Sequence, residues 1–187
     1  MAMNLHDYFR TRCSNTLNAE VNIEMLFSTM ARSVDNPMLK DMLQQHHDTV
    51  QCEVKNLEQI VTKLNGEKKT RRKVAAARDT EQVVVVGRGW IGTVGTETLE
   101  AHETFTTSVP KYLVDINAAM VEEEITHFNI GDYTGLIVLA KQLGEEEIAN
   151  LLQQNIDLET QMRAQLESGK LAQIIVEDSN MEQKKAA

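Results

Sequence analysis

The sequence of 187 residues predicts an all-α protein, a four-helix bundle in which one long crossover joins two helical hairpins. Two observations support this fold class. Phe, Trp and Tyr make up only 4% of the chain and Pro occurs twice, a balance that favours helices over sheets. Four segments also repeat apolar residues at steps of three and four, and short turns join the first to the second and the third to the fourth.

The first two helices form the first predicted hairpin. One runs from about residue 4 to 33 and the other from 37 to 65. Asn36 is the expected N-cap of the second helix, Pro37 suits its first position, and Gly66 is its stop signal. The turn between them is short, so the two helices must run antiparallel.

The third and fourth helices form the second predicted hairpin. The third is expected from about residue 110 to 143, where Gly144 breaks it, and the fourth from about 145 to 168. The inner stripe predicted for the third helix consists of Leu113, Ile116, Met120, Glu123, His127, Ile130, Thr134 and Ile137.

Residues 1–169 are therefore expected to form one bundle, with a crossover at 67–109 and a tail at 170–187. The crossover contains a β-like run from Gln82 followed by a GxGxxG pattern. No complete βαβ unit surrounds this pattern, so a dinucleotide site is disfavoured. A strand or hairpin is expected instead, packed on its own bundle or paired with another subunit.

The formal charge of −9 argues against general binding to nucleic acid or to an anionic membrane. The N-terminus lacks the pattern of a signal peptide, and no segment is apolar enough to span a bilayer, so the cytoplasm is the expected location. Cys13 and Cys52 stand apart without a CxxC pair, which is typical of reduced thiols.

Each predicted inner stripe carries a carboxylate or an imidazole near its middle, namely Glu20, His46, His127 and Glu159. Counted from the turns, the members of each hairpin have similar heights, so all four are expected to meet in the middle of the bundle. Burying such groups is costly unless they are paired or bind metal. Two interpretations stay open: an iron or manganese site, or a metal-free network of hydrogen bonds.

An ExxH pair strengthens the first interpretation. Glu124 and His127 share one helix face, and carboxylate with imidazole suits iron or manganese. Glu123 is an alternative partner on the same face. The candidate metal ligands are therefore Glu20, His46, Glu124, His127 and Glu159.

Short motifs in the same order resemble the YciE/YciF-type ferritin-like proteins, a stress-associated bacterial family. They cover roughly residues 4–166 and comprise Leu5-His6-Asp7-Tyr8-Phe9, Asn18-Ala19-Glu20, Met30-Ala31, His46, Leu57-Glu58-Gln59, His127, Asp132-Tyr133-Thr134, Ala140-Lys141-Gln142-Leu143-Gly144, Asp157 and Glu159. The resemblance implies a ferritin-like bundle, often dimeric, with a dinuclear metal centre and no settled activity. This chain has Thr49, Thr126 and Asn129 where the family offers carboxylates, which favours one metal, a shifted site using Glu53, Glu123 or Glu124, or no metal.

Three functions follow as hypotheses. The first is a stress-associated iron or manganese protein with a reduced metal centre and, at most, weak metal oxidase chemistry. The second is a structural protein without metal chemistry that forms homo-oligomers, as dimers or larger assemblies, through an insert at residues 83–95 and the C-terminal tail. The third, a nucleotide-binding enzyme, has the least support.

Overall fold

The computed structural model describes residues 3–66, 82–83, 97–98, 110–166, 173–174 and 176. Within these ranges the chain forms four α-helices, α1 (Leu5–Ser33), α2 (Pro37–Asn65), α3 (Lys111–Gln142) and α4 (Glu146–Gln165). Two short strands, β1 (Gln82–Val83) and β2 (Glu97–Thr98), lie in sequence between α2 and α3. The predicted fold class, an all-α bundle, is confirmed.

The ends of the helices follow the capping signals in the sequence. The side chain of Asn36 accepts hydrogen bonds from the backbone N–H groups of Met38 at 3.0 Å and Leu39 at 3.2 Å, so it caps α2 as predicted. Gly66 and Gly144 follow α2 and α3 with φ angles of 85° and 73°, which other residues rarely adopt. The start of α2 and the ends of α2 and α3 are therefore determined by residues that lie next to them in the sequence.

Contacts between helix ends show how the two hairpins are oriented. Near the start of α3, Asp115 accepts hydrogen bonds from the backbone N–H groups of Asp35 at 3.0 Å and Asn36 at 2.8 Å, in the turn between α1 and α2. At the other end of the bundle, Lys63 of α2 pairs with Glu147 of α4 at 2.6 Å. Helices α2 and α3 therefore run parallel, and the crossover must return along roughly 40 Å of bundle.

The crossover contains an antiparallel strand pair, in which Gln82 lies opposite Thr98 and Val83 opposite Glu97. The backbone of β1 lies beside α1. The strand or hairpin expected here is thus present at these four residues. Residues 84–96, which include the GxGxxG pattern and most of the proposed assembly insert, lie outside the described residues.

The core lies between the four helices, and three of the four inner stripes follow the prediction. All members of the inner stripes that apolar spacing predicts for α1, α2 and α4 are buried, apart from Leu64, which is partly buried. The stripes consist of Phe9, Cys13, Thr16, Glu20, Ile23, Phe27 and Met30 in the first helix, Leu39, Met42, Leu43, His46, Val50, Glu53, Leu57, Ile60 and Leu64 in the second, and Ile148, Leu152, Asn155, Glu159, Met162 and Leu166 in the fourth. Beyond α4, Ile174 is also buried against this core. No helix in the described part of the chain combines the length and the hydropathy needed to cross a membrane.

The inner stripe predicted for α3 is wrong, except at its last member. Leu113 and Met120 are 38% and 52% exposed, while the adjacent residues Val114 and Ala119 are buried. The helix is apolar on two faces, so periodicity alone could not choose between them. The buried face consists of Val114, Asp115, Ala118, Ala119, Glu122, Ile125, Thr126, Asn129, Tyr133, Leu136, Ile137 and Ala140.

Candidate metal centre

Each of the four helices contributes one buried glutamate to the middle of the bundle. Glu20 of α1 is 1% exposed, and Glu53 of α2, Glu122 of α3 and Glu159 of α4 are fully buried. His46 of α2 is fully buried beside them. Such a concentration of carboxylates away from water is expensive unless protons, hydrogen bonds or cations compensate the charge.

His46 lies between two of these carboxyl groups. Its Nδ1 is 3.6 Å from Glu122 Oε1, and its Nε2 is 3.3 Å from Glu159 Oε2. The ring also stacks on Phe27, with centroids 4.3 Å apart. The imidazole is therefore fixed in a position where each nitrogen faces a different glutamate.

Two side chains of α3, one turn apart, connect the remaining carboxyl groups. The amide of Asn129 donates to Glu159 Oε1 at 2.6 Å and, with a longer contact, to Glu20 Oε2 at 3.4 Å. The hydroxyl of Tyr133 lies 2.8 Å from Glu20 Oε1 and 3.1 Å from Glu53 Oε2. A hydroxyl carries one proton, so both Tyr133 contacts can be hydrogen bonds only if one carboxyl group is protonated.

These contacts arrange the centre in three levels along the bundle axis. His46 and Glu122 form the upper level, and Glu20, Glu159 and Asn129 the middle one. Glu53 and Tyr133 form the lower level. The order agrees with the seven residues, or about two helical turns, between His46 and Glu53 on α2.

Burial and mutual repulsion shift the proton equilibria of the centre. Desolvation, reinforced by the charge of Glu159, raises the pKa of Glu20 to about 8. Desolvation and the neighbouring carboxylates likewise raise the pKa of Glu53 well above its usual value. Burial alone lowers the pKa of His46, but the adjacent carboxyl groups of Glu122 and Glu159 outweigh it and raise the pKa to about 9. A metal-free centre therefore retains protons at neutral pH.

Several polar atoms of the upper and middle levels have no hydrogen-bond partner among the described residues. They include both carboxylate oxygens of Glu122, Oε2 of Glu159 and the hydroxyl of Thr126. Both oxygens of Glu20, by contrast, are hydrogen-bonded. Three unsatisfied carboxylate oxygens thus lie beside His46, while Glu53 Oε1 and Asn129 Oδ1 are also without a partner among the described residues.

The structure brings together three of the five residues predicted as metal ligands. Glu20, His46 and Glu159 all lie in the centre. His127 does not, because its side chain is 48% exposed and contacts Glu123 at 2.9 Å on the outer face of α3. Glu124 is exposed on that outer side as well. The expected inward placement of Glu124 and His127 is wrong, for the same reason that the stripe of α3 is wrong.

The sequence analysis did not place three residues in the centre, although it named Asn129 as a position where the family offers a carboxylate. Glu122, Asn129 and Tyr133 all lie on the true inner face of α3, and Glu53 was named only as an alternative ligand. A signal was present: residues 122, 126, 129 and 133 follow steps of four, three and four. A second stripe of polar and aromatic residues at helical spacing therefore marked the inner face.

The donor types suit a divalent metal ion, but the donor positions do not form a finished site. In the described part of the chain, no group of three or more His, Cys, Asp or Glu side chains is arranged so that it could hold a metal ion. The orientation of His46 explains this, because its two nitrogens face different carboxylates. At least one side chain must turn before two carboxylates and the imidazole can bind one ion.

Comparisons with known proteins give a consistent family assignment. A family model described as a domain of unknown function, DUF892, matches residues 4–84 and 96–179. Protein YciF of Escherichia coli strain K12 is 22% identical over 155 residues, which make up 83% of each chain.

Two solved structures have the same fold. The crystal structure of the E. coli stress protein YciF matches with a TM-score of 0.66 and 19% identity, covering 96% of this chain and 99% of that one. YcfI from Rhodopseudomonas palustris, described as a candidate structural protein, gives a TM-score of 0.63 at 19% identity and covers 88% and 94%. At these identities the likeness shows the fold alone.

Proposed function

The chain belongs to the DUF892 family and is of the YciF stress-protein type, and we propose that it binds one iron or manganese ion in its buried centre. One observation carries this proposal: four helices each direct a glutamate to a water-excluded centre in which Glu122 and Glu159 have unsatisfied oxygens. Leaving a buried acceptor unsatisfied costs about 1–3 kcal/mol, and more for a charged group. Protonated His46 faces these oxygens at 3.6 Å and 3.3 Å without a hydrogen bond to them, whereas a metal ion held by neutral His46 would bind them directly.

His46, Glu122 and Glu159 are the proposed ligands. One imidazole and two carboxylates suit iron(II) and manganese(II), and both metals supply redox chemistry when bound. Glu20 and Glu53 remain hydrogen-bonded to Asn129 and Tyr133. The surrounding apolar core excludes water, and Phe27 holds the imidazole ring in place.

Metal content of variants on the two faces of α3 tests the proposal. The protein is purified without a histidine tag, loaded with Mn(II) or, under anaerobic conditions, with Fe(II), and analysed by elemental mass spectrometry. We expect one ion per chain in the wild type and loss of that ion in Glu122→Gln and His46→Gln. Glu124→Gln and His127→Gln are matched controls from the outer face and should retain the ion.

Three results would contradict the proposal. If the wild type binds no metal, the proposal is wrong. Loss of metal in the outer-face variants, with retention in Glu122→Gln, moves the site to the surface ExxH pair. Retention in all four variants excludes both positions.

A second function, in structural assembly, is favoured by the outer face of α3. Leu113, Met120 and Val138 are 38%, 52% and 64% exposed. Their spacings of 7 and 18 residues place them on one line along the helix. Gly131 lies on this line with open space around it, so another helix could approach closely.

These residues, Leu113, Met120, Gly131 and Val138, form the outer stripe of α3. The proposed partner that packs against the outer stripe is a second copy of the chain. A stripe that runs along a helix can pack against itself around a twofold axis. The insert at residues 83–95 and the C-terminal tail would extend such an assembly. A structural role is also the one suggested for YcfI.

Light scattering coupled to size-exclusion chromatography tests the assembly. Met120→Lys together with Val138→Lys should reduce the particle mass, because two charges would be buried in the contact. The control introduces two lysines at exposed positions of α4, Gln153→Lys and Gln154→Lys. Equal masses for the two double variants would exclude the outer stripe as the contact.

A further inference from the structure

Asn129 is a neutral side chain that lies between two buried carboxyl groups of different helices and donates to both through one amide nitrogen. Its amide nitrogen is 2.6 Å from Glu159 Oε1 and 3.4 Å from Glu20 Oε2. The side chain is 1% exposed, so water does not compete for these oxygens. The amide thus takes the position from which a cation would bind Glu20 and Glu159 together.

We propose that Asn129 is the residue that limits this centre to a single cation, because its amide occupies the place of a second one between Glu20 and Glu159. This inference rests on the proposed function, in which the first cation binds at His46, Glu122 and Glu159. It assigns a specificity-determining role to Asn129, which sets the number of ions and does not itself bind one.

The orientation of the amide follows from its neighbours. If Asn129 were turned over, its oxygen would face two carboxyl groups and the contacts would be repulsive unless those groups carried protons. With the nitrogen facing them, two N–H dipoles point at the oxygens and repel any cation that approaches along the same direction. The neutral amide therefore donates to one oxygen of each carboxyl group and excludes a metal ion from the same place.

Tyr133, one turn further along α3, contacts carboxyl oxygens that Asn129 does not reach. Its hydroxyl contacts Glu20 Oε1 at 2.8 Å and Glu53 Oε2 at 3.1 Å. Both oxygens of Glu20 are consequently engaged, and Glu53 keeps only Oε1 without a partner in the described region. Hydrogen-bond donors thus engage both oxygens of Glu20 and one of Glu53, whereas both oxygens of Glu122 have no hydrogen-bond partner in the described region.

Replacing the amide by a carboxylate of the same shape should reverse this exclusion. In Asn129→Asp, a third carboxylate faces Glu20 and Glu159 in place of the donor. Metal-free protein should be destabilised, since like charges are brought together without water. A cation then has three converging carboxylates, which is the type of site that Mn(II) prefers.

The experiment compares Mn(II) content in wild type, Asn129→Asp and Asn155→Asp. Asn155 is fully buried, but its amide donates to the backbone carbonyl of Glu53 at 3.4 Å and its oxygen accepts from Asn56 at 2.7 Å. The control therefore adds the same charge nearby without facing the carboxyl oxygens. We expect one additional ion per chain in Asn129→Asp relative to wild type, and none in Asn155→Asp.

Thermal unfolding supplies a readout that is independent of any activity. The unfolding temperature of Asn129→Asp should be lowered in chelator and restored by Mn(II), whereas Asn155→Asp should show no such restoration. If Asn129→Asp does not fold, Asn129→Ala frees the same two oxygens without adding charge, and it should also gain an ion.

The outcomes separate this inference from the proposed function. Two ions in the wild type, or no additional ion in either Asn129 variant, overturn the inference. An equal gain in Asn155→Asp overturns it as well, because the effect would be one of charge alone. A wild type without metal overturns the proposed function, while a gain of one ion in Asn129→Asp alone would still support exclusion by the amide.

Discussion

Raising the pH of the metal-free protein from 6.5 to 8 should lower its free energy of unfolding by about 3 kcal/mol, as the proton linkage of the buried centre requires. Glu20 has a pKa of about 8 in the folded protein, against a usual value of 4.5. His46 has a pKa of about 9, against 6.5. Both values are raised by folding, so the folded state holds more protons than the unfolded state across this window.

The sign and the size of this change in the free energy of unfolding follow from the difference in bound protons between the folded and unfolded states. For either group, the stabilisation is complete below the unfolded pKa and is lost as the pH rises through the folded one. Each of these two groups can contribute up to about 1.4 kcal/mol per pH unit, and both act between pH 6.5 and 8, which limits their joint contribution to about 4 kcal/mol. The expected loss is smaller because each group titrates partially within the window.

Urea denaturation in the presence of a chelator, followed by circular dichroism at several pH values, measures this dependence. Glu20→Gln imitates the protonated carboxyl group and should reduce the loss by roughly half, since one of the two titrations is removed. Stability that is constant or increases between pH 6.5 and 8 would refute the reasoning. Metal affinity should change in the opposite direction, because ligands must lose protons to bind.

Two further substitutions have predictable effects on stability. Tyr133→Phe removes the only donor described for Glu20 Oε1 and Glu53 Oε2, and should lower the free energy of unfolding by about 2–3 kcal/mol in urea denaturation. A loss below about 0.5 kcal/mol would show that these oxygens find other partners. Asp115→Ala deprives the turn before α2 of its two backbone hydrogen bonds and should cost about 2 kcal/mol. An unchanged thermal midpoint for that variant would show that the turn is held by other contacts.

Much of the fold was predictable because its signals are local. Asn36, Pro37, Gly66 and Gly144 determine helix ends through groups that lie within one turn of them. The face that a helix buries is a tertiary property, and α3 shows the limit of periodicity. It offers two apolar faces, and only packing against the other helices decides between them.

The candidate site was predictable to the extent that its residues lie on helices with one apolar face. Glu20, His46 and Glu159 interrupt such faces and were found. Glu122 was missed because it lies on the side of α3 that was predicted to be solvated, and Asn129 was noted only as a position where the family offers a carboxylate. The exposed pair of Glu124 and His127 matched a metal motif by spacing alone, which shows why a motif needs the correct face.

The parallel arrangement of α2 and α3 has a consequence for the order of folding. Each hairpin can form from neighbouring segments, but the contacts of His46 with Glu122 and of Glu20 with Tyr133 join different hairpins. These carboxyl groups therefore lose water only when the two halves dock, and that is when they must take up their protons. Proton uptake by these groups is therefore linked to the association of the two hairpins and not to the formation of either one alone.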